Sequence, residues 1–120
     1  MSQHLSLDGR TFVGVENEGG EVSGDTTFQF EQDGDVVTAH YAGGTILEGF
    51  LTGTFDGHEL DIRYVQLGDD YETATGHSVG EVKLLDDGRV RIEDEWEWES
   101  KPGGGRSVLE EVAQNSADDS

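Results

Sequence analysis

The sequence predicts an all-β domain, a single antiparallel up-and-down barrel of about eight strands. Three observations lead there. Asp-Gly pairs recur at Asp8-Gly9, Asp33-Gly34, Asp56-Gly57 and Asp87-Gly88, and Asp-Gly suits the positive-φ positions of tight hairpin turns. Between these pairs apolar residues return at every second position, the period of a strand with one buried face. No stretch keeps a 3.6-residue apolar period long enough to hold a helix; Leu109–Val112 would make a turn at most.

Thr11–Asn17 reads as the first strand, with Phe12 and Val13 on opposite faces. Thr26–Gln32 follows and sets Thr26, Phe28 and Phe30 on one side. Val36–Tyr41 aligns Val37, Ala39 and Tyr41. Thr45–Phe55 alternates Leu47, Gly49, Leu51 and Gly53 against Ile46, Glu48, Phe50 and Thr52. Glu59–Gln66 groups Leu60, Ile62, Tyr64 and Gln66. Thr73–Leu85 is long and glycine-containing, so a bulge near Gly76 or Gly80 is expected. Arg89–Ser100 alternates most plainly: Val90, Ile92, Asp94, Trp96 and Trp98 face one way, and the arginines and glutamates between them the other. Pro102–Gly105 makes a loop, and Ser107–Val112 closes the set. Eight short strands joined by tight turns form a meander, and closing it into a cylinder removes the exposed edges. A β-sandwich is the alternative architecture. The domain spans residues 1–112, and 113–120 read as a flexible acidic tail.

At 120 residues the chain suits one core. It has no cysteine, which excludes disulfides, thiolate metal sites and cysteine nucleophiles. The start, MSQHLSLDGR, lacks the basic and apolar pattern of a signal peptide, and no apolar run approaches a bilayer span. A cytoplasmic location with no membrane partner is the expectation. Charge says more. Twenty-seven acidic residues face seven basic ones, a net charge of -20 and a pI near 4.1. Such self-repulsion opposes compaction in dilute buffer. At molar salt the Debye length falls to about 3 Å and the repulsion is screened. Acids on every segment, with only Lys83 and Lys101 as lysines, resemble the surfaces of proteins from extreme halophiles. Without a basic patch, nucleic acid is not an expected partner.

Chemistry concentrates on a few residues. Trp96 and Trp98 lie two apart on one strand and, facing inward, would wall a pocket for an apolar or aromatic ligand. Tyr41 and Tyr64 would line the same end, with Asp94, Arg63 and His77 as polar contacts. Asp94 shares a face with apolar residues, so it must be paired, protonated or near an opening. Arg63 would reach it through a bulge, and either Asp94 or Tyr41 would meet the indole N–H groups. Glu48, alternating with Ile46 and Phe50, is a second candidate inward carboxylate. The competing view is that both tryptophans plug a filled barrel, which then acts through its surface as a dimer or interaction module. Monomer and homodimer both stay open.

His4, His40, His58 and His77 show no metal-ligand spacing, although a lone inward His77 would suit haem. Asp33-Gly34-Asp35 and Asp86-Asp87-Gly88 attract salt cations at the surface without completing a calcium loop. No nucleophile elbow, P-loop or dinucleotide fingerprint occurs, so neither a cofactor nor a catalytic residue is assigned.

Further pieces carry a family resemblance. They are Thr11-Phe12, Glu16-Asn17, Gly20–Ser23, Thr27-Phe28, Tyr41–Gly44, Gly49–Gly53, Leu60–Tyr64, Thr75-Gly76, Asp87–Arg89, Glu95–Trp98, and Ser107 with Glu110-Glu111. In these the chain resembles a family of small proteins often labelled "N-acetylglutamate synthase" or left uncharacterised. The resemblance implies a compact barrel of the lipocalin and avidin kind. It departs at Val65–Glu72, usually more basic, and at Val79-Gly80, where a proline is usual. The label would imply acetyl-CoA-dependent transfer, which needs a pyrophosphate cradle at a helix N-terminus. Neither Gly43-Gly44 nor Gly103–Gly105 leads into a helix, and a charge of -20 repels that cofactor.

Overall fold

The computed structural model describes residues 5–17 and 24–112. Residues 1–4, 18–23 and 113–120 lie outside the described residues, and with them Gly20–Ser23 of the resemblance and the acidic tail. Eight strands run in order: β1 (Thr11–Asn17), β2 (Thr27–Asp33), β3 (Val36–Gly43), β4 (Ile46–Phe55), β5 (Glu59–Gly68), β6 (Thr73–Leu84), β7 (Val90–Trp98) and β8 (Gly104–Glu111). Each pairs antiparallel with the next, and β8 returns to β1, closing the barrel. Every strand is thereby paired on both sides, as the meander reading requires. Gly9, Gly34, Gly57 and Gly88 all take positive φ, so each Asp-Gly turn forms where the sequence places it.

Three local differences matter. No register shift interrupts β6 against β5 or β7, so the bulge expected near Gly76 or Gly80 is absent from these pairings. Shifts fall instead at Gly14/Glu16, Tyr41/Gly43 and Ile46/Glu48. The last reverses the early phase of β4: Ile46 is buried with Leu51, and Leu47 is exposed. Strand β8 begins at Gly104, because backbone pairing with Glu97 extends it into the glycine run.

The two ends of the barrel differ. The end bounded by the Asp-Gly turns is filled with oil: Phe12, Phe30, Val37, Phe55, Leu60 and Val90 are each at most 2% exposed. Full burial of each such side chain contributes about 1.5–3 kcal/mol. The segment before β1 folds under as a plug. Leu7 is fully buried, its N–H donates to Gln32 Oε1 at 2.8 Å, and Gly9 N–H donates to Phe30 O at 2.9 Å. Among the described residues Glu111 is the one charge buried here. It accepts from Arg10 Nη1 at 2.8 Å and Val90 N–H at 3.1 Å, which ties β8 to β7 and the plug. The opposite end is where polar side chains turn inward.

Candidate functional site

Alternation on β7 points Val90, Ile92, Asp94, Trp96 and Trp98 inward, one above another. The lower members fill the core. The upper three wall a cavity of about 50 Å³ near the second barrel end. Tyr41 and Tyr64 complete the aromatic wall, while Phe28, Leu51 and Ile62 belong to its apolar lining. The rings touch in sequence: Tyr64 meets Trp98 edge-on at 6.0 Å, and Trp98 meets Trp96 at 5.2 Å. Tyr41 stacks on Phe28 at 4.6 Å, and its hydroxyl donates to Gln66 Oε1 at 3.0 Å.

Two glycines explain how the tyrosines lie flat. Tyr41 pairs with Gly49 across β3 and β4, and Tyr64 pairs with Gly76 across β5 and β6. A Cβ on Gly49 would sit 2.4 Å from the Tyr41 ring, and one on Gly76 would sit 2.5 Å from the Tyr64 hydroxyl. Each ring occupies the space a neighbouring side chain would need.

Asp94 is held by Ser107, whose hydroxyl donates to Oδ1 across β7 and β8. Burial pushes its pKa above the usual carboxylate value, and the hydrogen bond from Ser107 opposes this. Burial, with the Asp94 and Glu99 carboxylates nearby, also raises the Tyr64 phenol, which therefore stays an O–H donor at neutral pH.

Five of the seven residues expected at the pocket line it: Tyr41, Tyr64, Asp94, Trp96 and Trp98. Arg63 and His77 do not. Strand β5 keeps continuous register with β6 from Glu59 to Leu67, so no bulge turns Arg63 inward. Arg63 stands outside, 63% exposed, with Nε 3.4 Å from Glu99 Oε2. His77, its register partner, is outside too, with Nε2 2.6 Å from Asp61 Oδ1. Glu48 faces out and meets His40 at 2.5 Å. The partner of Asp94 is thus a serine, and Trp96 Nε1 meets neither Asp94 nor Tyr41.

Sequence reasoning passed over Asn17, Ser78 and Ser107, which also line the cavity. The signal was phase: Ser78 keeps step with Ala74, Gly76 and Val82, all buried. Three buried side-chain atoms have no hydrogen-bond partner among the described residues: Asn17 Oδ1, Ser78 Oγ and Trp96 Nε1. All three belong to residues lining this one cavity. An acceptor, a hydroxyl and a donor therefore stand unsatisfied beside an aromatic wall.

The family model for avidin-like proteins matches residues 5–112. The chain belongs to the avidin-like family. Among solved structures, the avidin-like barrel is similar to apo shwanavidin in its P1 crystal form, with a TM-score of 0.56 and 14% identity. That match covers 93% of this chain and 100% of the other. At this identity the likeness concerns the fold. No curated protein matches. Among the described residues no group of three or more His, Asp or Glu side chains is arranged to hold a metal ion.

Proposed function

We propose that this avidin-like barrel binds one small molecule, with an apolar or ring-shaped body and a hydrogen-bonding edge, in its polar end. The observation that carries this is the convergence of Asn17 Oδ1, Ser78 Oγ and Trp96 Nε1 on a single cavity. Each unsatisfied buried group costs about 1–3 kcal/mol, so a ligand edge that matches all three recovers several kcal/mol. Size limits the ligand. Binding pockets usually measure about 300–1,000 Å³, whereas this cavity measures about 50 Å³. A head group of a few heavy atoms fits inside, and the rest lies in the mouth against Tyr64 and Trp98, both half-buried. An acyltransferase reading finds no helix N-terminus to cradle a pyrophosphate among the described residues. Native mass spectrometry of protein purified from its own host in high salt tests the proposal. A co-purifying molecule released on unfolding is the expected result; repeated recovery of the bare chain mass speaks against it.

A second reading, a surface module that pairs with its own copy, is favoured by one feature. Phe50 and Val65 are register partners on the outside of β4 and β5, 54% and 42% exposed. Sedimentation equilibrium of wild type and Phe50→Glu decides it: a dimer that dissociates in the variant supports this reading, and a wild-type monomer ends it.

A further inference from the structure

We propose that Asp33 is the aspartate of this barrel that isomerises to isoaspartate, and that the change loosens the plug at the Asp-Gly end. The proposal stands whether or not the cavity holds a ligand.

The chemistry needs only the chain and water. The backbone nitrogen of the following residue attacks the protonated Asp Cγ and forms a C–N bond. The C–OH bond breaks, and the hydroxyl leaves as water with the amide hydrogen. The resulting succinimide ring then adds water. Opening at Cγ restores aspartate, whereas opening at the main-chain carbonyl leaves the chain running through Cβ. Nothing is oxidised or reduced, and the product keeps the mass of the original chain. A following glycine has no side chain to hinder the attack, so the Asp-Gly pairs are the candidates.

Three of these pairs are protected where they stand. Asp8 Oδ1 accepts from Gln32 N–H at 2.9 Å, and the Gly9 N–H that would attack is committed to Phe30 O at 2.9 Å. Asp56 Oδ1 accepts from His58 N–H at 2.9 Å and Glu59 N–H at 2.7 Å. Asp87 accepts from Arg89 N–H at 3.1 Å and Arg89 Nε at 2.7 Å, while Gly88 N–H donates to Leu85 O at 3.0 Å. The Glu59 N–H holds the Asp56 carboxyl below the usual carboxylate range, and the Arg89 side chain does the same for Asp87. Both are thereby kept from the protonated form that reacts.

Asp33 differs. It is exposed, and among the described residues neither its carboxylate nor the Gly34 N–H has a hydrogen-bond partner. Its register pairing with Val36 leaves Gly34 and Asp35 as a two-residue loop in solvent. Gln32 couples this loop to the plug. Its Nε2 donates to Gly34 O at 2.9 Å, and its Oε1 accepts Leu7 N–H at 2.8 Å. Isoaspartate at position 33 inserts Cβ into the main chain just ahead of Gly34. Gly34 O then moves, and Gln32 loses the contact that aims Oε1 at Leu7.

Folded wild type is aged in molar KCl beside a urea-unfolded sample, and both are cleaved after glutamate. Each Asp-Gly peptide is then assayed for methylation by an isoaspartyl methyltransferase. In the unfolded chain all the Asp-Gly pairs should accumulate isoaspartate at similar rates. In the folded chain Asp33 should lead each of the others by about tenfold, because their carboxylates must first break hydrogen bonds. Asp33→Glu keeps the charge but needs a larger ring, so it should abolish that signal. Hydrogen exchange at Leu7 N–H should quicken in aged wild type and not in aged Asp33→Glu. Equal rates among the folded pairs, a lead at another pair, or no isoaspartate at Asp33 overturns the assignment. Unchanged Leu7 exchange in the isoaspartyl fraction overturns the link to the plug.

Discussion

Replacing Gly49 by alanine should destabilise the barrel, although the same change elsewhere in a strand usually does the reverse. The added Cβ would lie 2.4 Å from both Cε2 and Cζ of Tyr41, against 3.4–4 Å for an ordinary contact. Restoring contact requires the ring to shift by about 1 Å. Tyr41 is 2% exposed, stacked on Phe28 at 4.6 Å and tied to Gln66 through its hydroxyl, so that shift disturbs both partners. Overpacking of this kind costs about 1–3 kcal/mol, and a lost hydrogen bond about 1 kcal/mol more. The lower entropy of the unfolded alanine chain offsets about 0.4–1 kcal/mol. A net loss of about 1–3.5 kcal/mol follows. Urea unfolding in high salt measures it, with Tyr41→Leu as the companion background, where Gly49→Ala should be neutral or stabilising. Equal stability of Gly49→Ala and wild type would refute the idea that this glycine lays the ring flat.

Asp94→Asn should raise stability at neutral pH, because burial disfavours the charged carboxylate and the amide carries no charge to desolvate. The folded pKa of Asp94 is raised, mainly by burial. Its contribution therefore favours folding at low pH and is lost as pH rises through the folded value, so the gap between variant and wild type narrows on acidification. A variant less stable at neutral pH would show that the Ser107 bond outweighs burial. With a net charge of -20, the thermal midpoint should climb as KCl rises toward molar concentration, followed by circular dichroism; a midpoint independent of salt contradicts the halophilic reading. Trp98→Phe leaves Trp96, 8% exposed, and its emission should be blue-shifted and resist acrylamide. Trp96→Phe leaves the half-buried Trp98, which should quench more readily. The opposite order would place the cavity mouth wrongly.

Much of this architecture was legible from period alone. The Asp-Gly turns and the inward line from Val90 to Trp98 needed only alternation, and all eight strands follow from them. Alternation also holds the reason Arg63 and His77 fail as pocket residues: Arg63 is out of phase with Ile62, Tyr64 and Gln66, so that only an imagined bulge brought it in, and His77 is out of phase with Ser78. The actual register shift at Ile46/Glu48 left no mark beyond an ordinary Leu-Glu pair. Ser107 as the partner of Asp94 was hidden because it depends on cross-strand register, which a separation of 13 residues along the chain does not reveal. Glycines 49 and 76 looked like weak points in strands. Their role became visible only when Tyr41 and Tyr64 lay across them.

The central claim is that the Trp96 indole N–H waits inside the barrel for an acceptor on a ligand. Protein labelled with ¹⁵N at tryptophan displays two indole N–H resonances, assigned by Trp96→Phe and Trp98→Phe. On titration with 2-pyrrolidinone, a small ring that carries one carbonyl acceptor, the Trp96 resonance should move downfield in a saturable way as its N–H gains that acceptor, with Ser78→Ala weakening the response. A Trp96 resonance that stays in place while the probe saturates would show that nothing enters the cavity.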